Sequence, residues 1–350
     1  MMRILLSHLY GWPEVRRGAE RYVHELGAAL AWHGHDVQVL VSRAQRGRDE
    51  ILGVPVRAVR RRSVAPVSPP SRATQRAFAA RCVSPALRFR PDVWHANSLY
   101  DGALAGLLKG SAAVFTMHGP MTSTVAALPL TRHLTRARLV SVSARQRDEA
   151  LVHGIDSQVV PPGVDVDAFV PGTQRTRHPV VLYVGTLTAP RKNVGLLLRA
   201  AAEALPRVPG LEVWLAGDGD PGPLLTQAPP SVVGRVRHLG LLQGRMLLEA
   251  YQRAWCLALP SEREVFGMSV LEGLACGLPG LVLDDGWGPS ELVSGGCGVA
   301  ASAETMADAL VTVLELARER DSVLRCRARA ESYDWRRSIV PRMVEVYGRV

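Results

Sequence analysis

Residues 3–41, RILLSHLYGWPEVRRGAERYVHELGAALAWHGHDVQVLV, hold two apolar runs on either side of a stretch with helical periodicity. Arg3–Tyr10 is typical of a short buried strand, and a loop rich in glycine and proline follows it. Apolar side chains recur at helical spacing over Ala19–His33, Gly34 ends the helix, and Val37–Val41 is the next strand. Strand, loop, helix and strand form a βαβ unit, which predicts a parallel sheet.

The same alternation continues along the chain and then starts again at Val180–Val184. A length of 350 residues suits two domains of ordinary size. We therefore predict an α/β protein with two Rossmann-like, doubly wound domains, residues 1–170 and 171–334, facing each other across a cleft. Such folds bind ligands at the carboxyl ends of their strands.

The charge of the chain is unevenly distributed. Residues 1–170 carry 22 Lys+Arg against 13 Asp+Glu, whereas residues 171–350 carry 20 against 19. A basic first domain is compatible with a phosphorylated substrate, an anionic membrane or nucleic acid, or with a simple abundance of arginine. Because only 5% of the residues are aromatic, we do not expect nucleic-acid binding.

Targeting and redox signals are weak. No apolar run approaches the length of a membrane span, and Ile4–Leu6 is too short for a signal peptide. Five cysteines without a C-x-x-C pair are typical of reduced thiols rather than a disulfide framework or a zinc site. We expect a cytoplasmic protein, with peripheral membrane association open but not favoured. A basic helix predicted at Arg72–Cys82 could lie on an anionic membrane or simply be solvated.

The richest segment for chemistry is Pro260–Pro279. Glu264 precedes a helix that we predict to start near Met268, and Glu272 is expected in the first turn of that helix. Free N–H groups at the helix start would favour a phosphate, and two carboxylates beside it suit the hydroxyls of a nucleotide sugar. Ser269-x-x-Glu272 also fits a capping box, which needs no ligand. Local physics leaves both readings open.

This segment resembles the Glu-x7-Glu signature of glycosyltransferase family 4, whose members have the GT-B fold. Other segments resemble motifs of that family in the same order along the chain: Gly18–Val23, Asp92–Ala96, Thr116–Gly119, Val160–Asp165, Val184–Leu187, Pro190–Asn193, Ala216–Gly219 and Tyr333–Trp335. The resemblance covers nearly the whole chain. It also implies that a last helix, at about residues 335–350, crosses back to the first domain.

The family resemblance implies retaining transfer of a hexose-type sugar from a nucleoside diphosphate sugar, with no metal or other cofactor. The implied catalytic residues are His118, Lys192 and Glu264. The implied donor-binding residues are Gly18, Arg191, Lys192, Gly217, Glu264, Phe266, Gly267, Met268, Ser269 and Glu272. Weaker candidates for contacts with the acceptor, whose identity is open and which could be anionic, are Arg16, Arg17, His95 and Asn97.

The resemblance also assigns a role to each charged group. Arg191 and Lys192 would neutralise the diphosphate, and such cationic stabilisation of a leaving group is usually a large catalytic term. Glu264 would bond the donor sugar and Glu272 the ribose, while His118 would lie beside the transferred sugar.

Two departures from the family pattern concern the acceptor side. Arg17 stands before Gly18 where the family usually has a second glycine. The segment from Pro120 to Arg138 is short, which favours a small or open acceptor site.

Other readings have less support. The segment Gly217–Gly222 fits G-x-G-x-x-G, but Pro221 and Pro223 disrupt the expected helix start, which argues against a nicotinamide cofactor. Asp218 and Asp220 could form a metal-binding pair, although they come only after a complete first domain.

We therefore expect a hexosyltransferase acting on a small-molecule or natural-product acceptor, as in antibiotic biosynthesis. The arginine-rich composition suggests a high-GC bacterium. The alternatives are a membrane-surface transferase of cell-envelope lipid or polysaccharide synthesis, a nucleotide-sugar epimerase, and a non-catalytic nucleotide-sugar-binding protein. The donor base, UDP, GDP or another, remains open.

Overall fold

The structure is a computed structural model that describes residues 1–61, 70–120 and 128–348. The chain divides into two compact units, Met1–Gly163 with Trp335–Val350, and Val164–Asp334. The boundary that we predict near residue 170 therefore falls a few residues inside the second unit. Each unit has a largely or wholly parallel sheet with helical crossovers, which confirms the predicted pair of Rossmann-like α/β domains.

The first unit is built on an eight-stranded sheet within its described residues, in the order β3-β4-β2-β1-β5-β6-β7-β8. The strands are β1 (Arg3–Tyr10), β2 (Asp36–Arg43), β3 (Gly47–Ile51), β4 (Val54–Arg60), β5 (Val93–Ala96), β6 (Ala113–Met117), β7 (Arg138–Ser141) and β8 (Gln158–Val159). The helices are α1 (Gly18–Trp32), α2 (Arg72–Phe89), α3 (Leu99–Lys109), α4 (Thr131–Leu134) and α5 (Ala144–Val152), with α14 (Val340–Gly348) at the end of the chain.

Two features of the first unit differ from the sequence-based expectation. The structure contains a hairpin of β3 and β4 that the sequence analysis does not predict, because charged residues interrupt the apolar pattern of these strands. In this hairpin β3 runs antiparallel to β4. The helix predicted at Arg72–Cys82 extends to Phe89 and includes Pro85. The sequence from Arg60 to Ser71 is rich in arginine, proline and serine and predicts a basic loop, of which residues 62–69 lie outside the described residues. Of the short segment from Pro120 to Arg138, residues 121–127 lie outside the described residues, and the rest includes α4.

The second unit has a six-stranded sheet within its described residues, in the order β11-β10-β9-β12-β13-β14. The strands are β9 (Val180–Val184), β10 (Glu212–Ala216), β11 (Val236–Gly240), β12 (Cys256–Leu259), β13 (Gly280–Leu283) and β14 (Gly298–Ala301). The helices are α6 (Val194–Ala204), α7 (Gly222–Gln227), α8 (Pro230–Val233), α9 (Gly244–Arg253), α10 (Met268–Ala275), α11 (Gly288–Leu292), α12 (Met306–Leu316) and α13 (Ser322–Glu331).

The C-terminal segment packs within the first unit through specific bonds. The indole N–H of Trp335 donates to Oε2 of Glu25 at 3.0 Å. Tyr347 Oη lies 2.6 Å from Nδ1 of His95, which holds α14 against β5. The last helix is therefore a structural part of the first unit. None of the helices in the described ranges combines the length and apolar character needed to span a bilayer.

A buried histidine makes the first unit sensitive to acid. His24 on α1 is 1% exposed, and neither ring nitrogen has a hydrogen-bond partner among the described residues. Burial, followed by the positive charges of Arg43 and His8, lowers the pKa of His24 to about 4, while Asp49 acts in the opposite direction. The unfolded chain therefore binds more protons at this site than the fold between roughly pH 6.5 and 4.

We expect His24→Leu to flatten the pH dependence of stability. The wild type should lose about 3 kcal/mol relative to the variant as the pH falls from 7 to 4, because the buried imidazole must become charged. Burial raises the pKa of Asp101 to about 7, so this residue stabilises the fold as the pH falls, opposite to the effect of His24. Asp101 is present in both proteins, so the difference between their free energies of unfolding reports His24 alone. Urea unfolding across this pH range measures it, with His178→Leu, an exposed histidine, as the control. Parallel curves of unfolding free energy against pH for the wild type and His24→Leu would contradict the expectation.

A glycine contact fixes two neighbouring strands of the second unit. A Cβ at Gly217 would lie 1.7 Å from the carbonyl oxygen of Gly185, whereas a Cβ at Gly234 would meet nothing within 4 Å. We expect Gly217→Ala to lower the melting temperature of the second unit markedly, because main chain rather than a flexible side chain must move. Gly234→Ala should leave it nearly unchanged. Equal melting temperatures for both variants, measured by calorimetry, would show that this contact is not a constraint.

Candidate functional site

Strand order brings two loops of the second unit together. The sheet order reverses at β9, which pairs with β10 on one side and β12 on the other. The turn Pro190–Lys192 follows β9, and the loop beginning at Pro260 follows β12. Because both strands are parallel, their carboxyl ends lie side by side at the point where such sheets bind ligands.

A charged pair occupies this point. Lys192 Nζ donates to Oε2 of Glu264 at 2.5 Å, and Nη1 of Arg191 lies 3.4 Å from the same oxygen. The side chains of Lys192 and Glu264 are 15% and 13% exposed, so water screens their attraction less than it would a surface pair. Arg191 is 58% exposed and keeps most of its guanidinium in solvent. The structure thus brings three of the predicted site residues together.

Two hydrogen bonds clamp the loops that carry the charged pair. The N–H of Glu262 donates to the carbonyl of Arg191 at 2.8 Å, and Asn193 Nδ2 donates to Oε1 of Glu262 at 3.2 Å. Asn193 has a φ of +50°, a left-handed conformation that asparagine tolerates better than most residues. The sequence reasoning missed both residues as positioning groups. An asparagine directly after a short Pro-Arg-Lys turn was the available signal.

Helix α10 begins beside this pair. Gly267, with a φ of +93°, precedes Met268, and no side chain caps the helix start. The N–H groups of Met268 and Ser269 have no hydrogen-bond partner among the described residues, as is usual in a first turn. Because Ser269 lies inside the helix, the capping box considered above is wrong. Both residues are partly exposed, and their N–H groups can receive an anion.

Glu272 is the fifth residue of α10, so its predicted place in the first turn is also wrong. Its side chain is buried, at 4% exposure for the residue, and its Oε2 accepts a hydrogen bond from Tyr251 Oη at 2.6 Å. Phe266 is likewise buried and packs its ring 5.9 Å from that of Tyr333. Gly217 follows β10 and packs against the carbonyl oxygen of Gly185, so at this strand end only its main chain could contact a ligand.

A second polar group lies at the strand ends of the first unit. His118 follows β6 and Asn97 follows β5, its parallel neighbour, and His118 Nε2 is 2.9 Å from Asn97 Oδ1. Asn97 Nδ2 is held in turn by the carbonyls of Ser7 and His95, both at 3.3 Å. Burial, and then the nearby His8 and His95, keep the pKa of His118 well below its usual value. The imidazole is therefore neutral at neutral pH, which favours hydrogen bonding over a cationic role.

His95 has a structural position. It is fully buried, with its Nδ1 2.6 Å from Tyr347 Oη and its Nε2 2.7 Å from Thr116 Oγ1. Burial lowers its pKa to about 3. With no exposed surface and both ring nitrogens engaged, it does not offer an acceptor the contact that we predicted. Its role is to hold α14 and β6 in place.

The first loop of the first unit leads into α1. Arg17 is the last residue before the helix, and Gly18 is its first residue; both are exposed. Arg16 is also exposed, and its Nε donates to the carbonyl of Pro13 at 3.0 Å. These residues are accessible to a ligand at the carboxyl edge of β1. The structure does not bring them into contact with His118.

Comparison with known proteins assigns both units to glycosyltransferases. The protein-family model described as "Glycosyltransferase Family 4" matches residues 16–168. The family model described as "Glycosyl transferases group 1" matches residues 178–316. The D-inositol 3-phosphate glycosyltransferase of Mycolicibacterium smegmatis is 30% identical over 225 residues, covering 57% of this chain and 50% of the relative. The chain thus spans about half the length of the curated relatives it matches.

Solved structures show the same fold over the whole chain. Sucrose-phosphate synthase from Thermosynechococcus elongatus superposes with a TM-score of 0.82 and 21% identity, covering 100% of this chain and 99% of that one. Anabaena HepE in complex with UDP and glucose has a TM-score of 0.76 and 19% identity, with 100% of both chains covered. Because glycosyltransferase family models match residues 16–168 and 178–316, the chain is a glycosyltransferase of the family 4 type.

Proposed function

We propose that this protein transfers a hexose-type sugar from a nucleoside diphosphate sugar to an acceptor, with retention of the anomeric configuration. The Lys192–Glu264 pair beside the free N–H groups of Met268 and Ser269 is the observation that carries the proposal. It combines cations, an anion-accepting helix start and a carboxylate on two loops of the second unit. A relative in fold has been solved with UDP and glucose, which supports a nucleotide-sugar donor here.

Donor binding would reorganise the charged pair. In the structure, Glu264 Oε2 accepts from Lys192 and lies near Arg191. A diphosphate presents more negative charge than one carboxylate and would attract both cations toward its oxygens. Glu264 would then be released to accept hydrogen bonds from sugar hydroxyls. The same cations would stabilise the nucleoside diphosphate as it leaves, when its charge is greatest. We therefore propose that transfer needs no metal ion.

His118 would serve the transfer as a neutral hydrogen-bonding group. Its Nε2 is oriented by Asn97, which Ser7 and His95 fix through their carbonyls. Because the pKa of His118 is depressed, the group is uncharged at neutral pH. A neutral imidazole suits contact with the hydroxyls of the sugar.

For the acceptor we propose a small, anionic polyhydroxy compound. The curated relatives include an enzyme named for D-inositol 3-phosphate, and residues 1–170 of this chain carry a large excess of arginine. We place the reaction in the bacterial cytoplasm, where nucleotide sugars are available. A lipid or polysaccharide acceptor at a membrane surface is the competing outcome of the experiments below.

Lys192→Ala should weaken nucleotide binding by at least tenfold, because the variant lacks the partly buried ammonium group that would bond to the diphosphate. A thermal-shift titration with UDP, GDP, dTDP and ADP measures this; at 100 times its Kd, a nucleotide stabilises the fold by about 2.7 kcal/mol. The other lysine of the chain, Lys109, donates to the carbonyl of Pro91 in the first unit and provides the matched control Lys109→Ala. If both lysine variants bind the selected nucleotide like the wild type, Lys192 has no diphosphate role.

Glu264→Gln should lower kcat by roughly 10²–10³, because a group that stabilises the transition state is lost. The assay pairs the nucleotide sugar chosen by the titration with D-inositol 3-phosphate, and NMR of the product reports its anomeric configuration. Glu249→Gln, in an exposed ion pair with Arg245, is the matched control. An inverted product would contradict retention. Conversion of the donor sugar without acceptor would identify an epimerase instead.

A further inference from the structure

The first unit has a cavity that is wide open to solvent and is lined, among the described residues, by Ala44, Gln45, Arg46 and Arg60. Arg60 ends β4, and the other three residues directly follow β2. The two strands are parallel neighbours, so the cavity opens at the carboxyl edge of the sheet. This is the edge at which α/β sheets bind their ligands.

The arginines of this cavity are not neutralised by the protein. Among the described residues, neither Arg46 nor Arg60 forms an ion pair with a carboxylate, and both are exposed. Their sequence neighbours do form such pairs, which are Arg43 with Asp49 at 3.1 Å and Arg61 with Glu14 at 2.6 Å. Asp49 and Glu14 therefore pair with arginines that lie outside the cavity lining.

The charge around the cavity is also positive. Arg48 on β3 stands directly opposite Arg57 on β4, an arrangement of like charges that destabilises an antiparallel pair. Burial, followed by Arg88, Arg48 and Arg46 in turn, lowers the pKa of Arg57. An anion in the cavity would reduce this mutual repulsion. The field of the surrounding arginines would also draw an anion to the edge of the sheet.

We propose that the Arg46–Arg60 cavity binds a phosphate group of the acceptor. This inference rests on the proposed function and names the chemical class of its acceptor. Two guanidinium groups can each present parallel N–H donors to phosphate oxygens, and the Gln45 amide adds a neutral donor. The phosphate could belong to a soluble ester or to a lipid headgroup, because the recognition chemistry is the same.

Binding of inorganic phosphate, measured by isothermal titration calorimetry, tests the cavity directly. Arg46→Ala and Arg60→Ala should each weaken binding about tenfold or more, and Arg60→Lys should recover part of it. Arg235→Ala, an exposed arginine of the second unit, is the matched control and should have no effect. Because Lys192 offers a second phosphate site, the titration is repeated in Lys192→Ala, where binding at the cavity should persist. Phosphate binding that neither cavity variant changes would overturn the proposal.

A second pair of titrations distinguishes the source of the phosphate. Glucose 6-phosphate is used as a soluble ester, and phosphatidylcholine vesicles with or without phosphatidylinositol as the membrane source. Loss of glucose 6-phosphate binding in the cavity variants assigns a soluble acceptor, and loss of vesicle binding alone assigns a lipid headgroup. No loss with either probe overturns the proposal. Nucleotide binding by Arg60→Ala should equal that of the wild type. If the wild type binds no nucleotide, the proposed donor site is wrong, and this result is independent of phosphate binding at the cavity.

Discussion

The pairing of β12 with β9 is the constraint on which the candidate donor site depends. Cys256 lies opposite Val181, and Leu257 opposite Leu182, in a parallel ladder. This register sets where each strand ends, and therefore where the following turn and loop emerge. Lys192 and Glu264 are distant in sequence and meet only because their strands end side by side. A change of register would separate the charges even if every local turn were preserved.

The site uses main-chain contacts to limit how its charged groups can move. The close approach of Gly217 to Gly185 excludes a side chain between the ends of β9 and β10. The bond from Glu262 N–H to the Arg191 carbonyl ties the two charged loops together. These contacts are independent of any ligand, so the fold sets the main-chain positions of the two charged loops before a donor arrives. Such preorganisation is what makes electrostatic stabilisation effective in catalysis.

The sequence predicts the repeating strand–helix order well, because buried parallel strands and amphipathic helices leave strong periodic signals. Lys192 and Glu264 could be named through family resemblance, since spacing alone does not show that they meet. The burial of His95 could not be foreseen, because it depends on Tyr347 at the far end of the chain. The β3–β4 hairpin was missed because charged residues mask its strand pattern. Long-range packing decides the meeting of Lys192 with Glu264 and the burial of His95, whereas the hairpin was missed because its local pattern is irregular.

The arginines at the edge of the first sheet differ in whether a carboxylate of the protein pairs with them. Arg43 and Arg61 each have one carboxylate partner within the fold. Exposure alone would let Arg46 and Arg60 remain unpaired at little cost, because water solvates guanidinium well. The Arg48–Arg57 opposition is different, because like charges that stand directly opposite each other destabilise an antiparallel pair. An anion bound in the proposed cavity would reduce this repulsion, which connects the charge of these strands with the proposed phosphate of the acceptor.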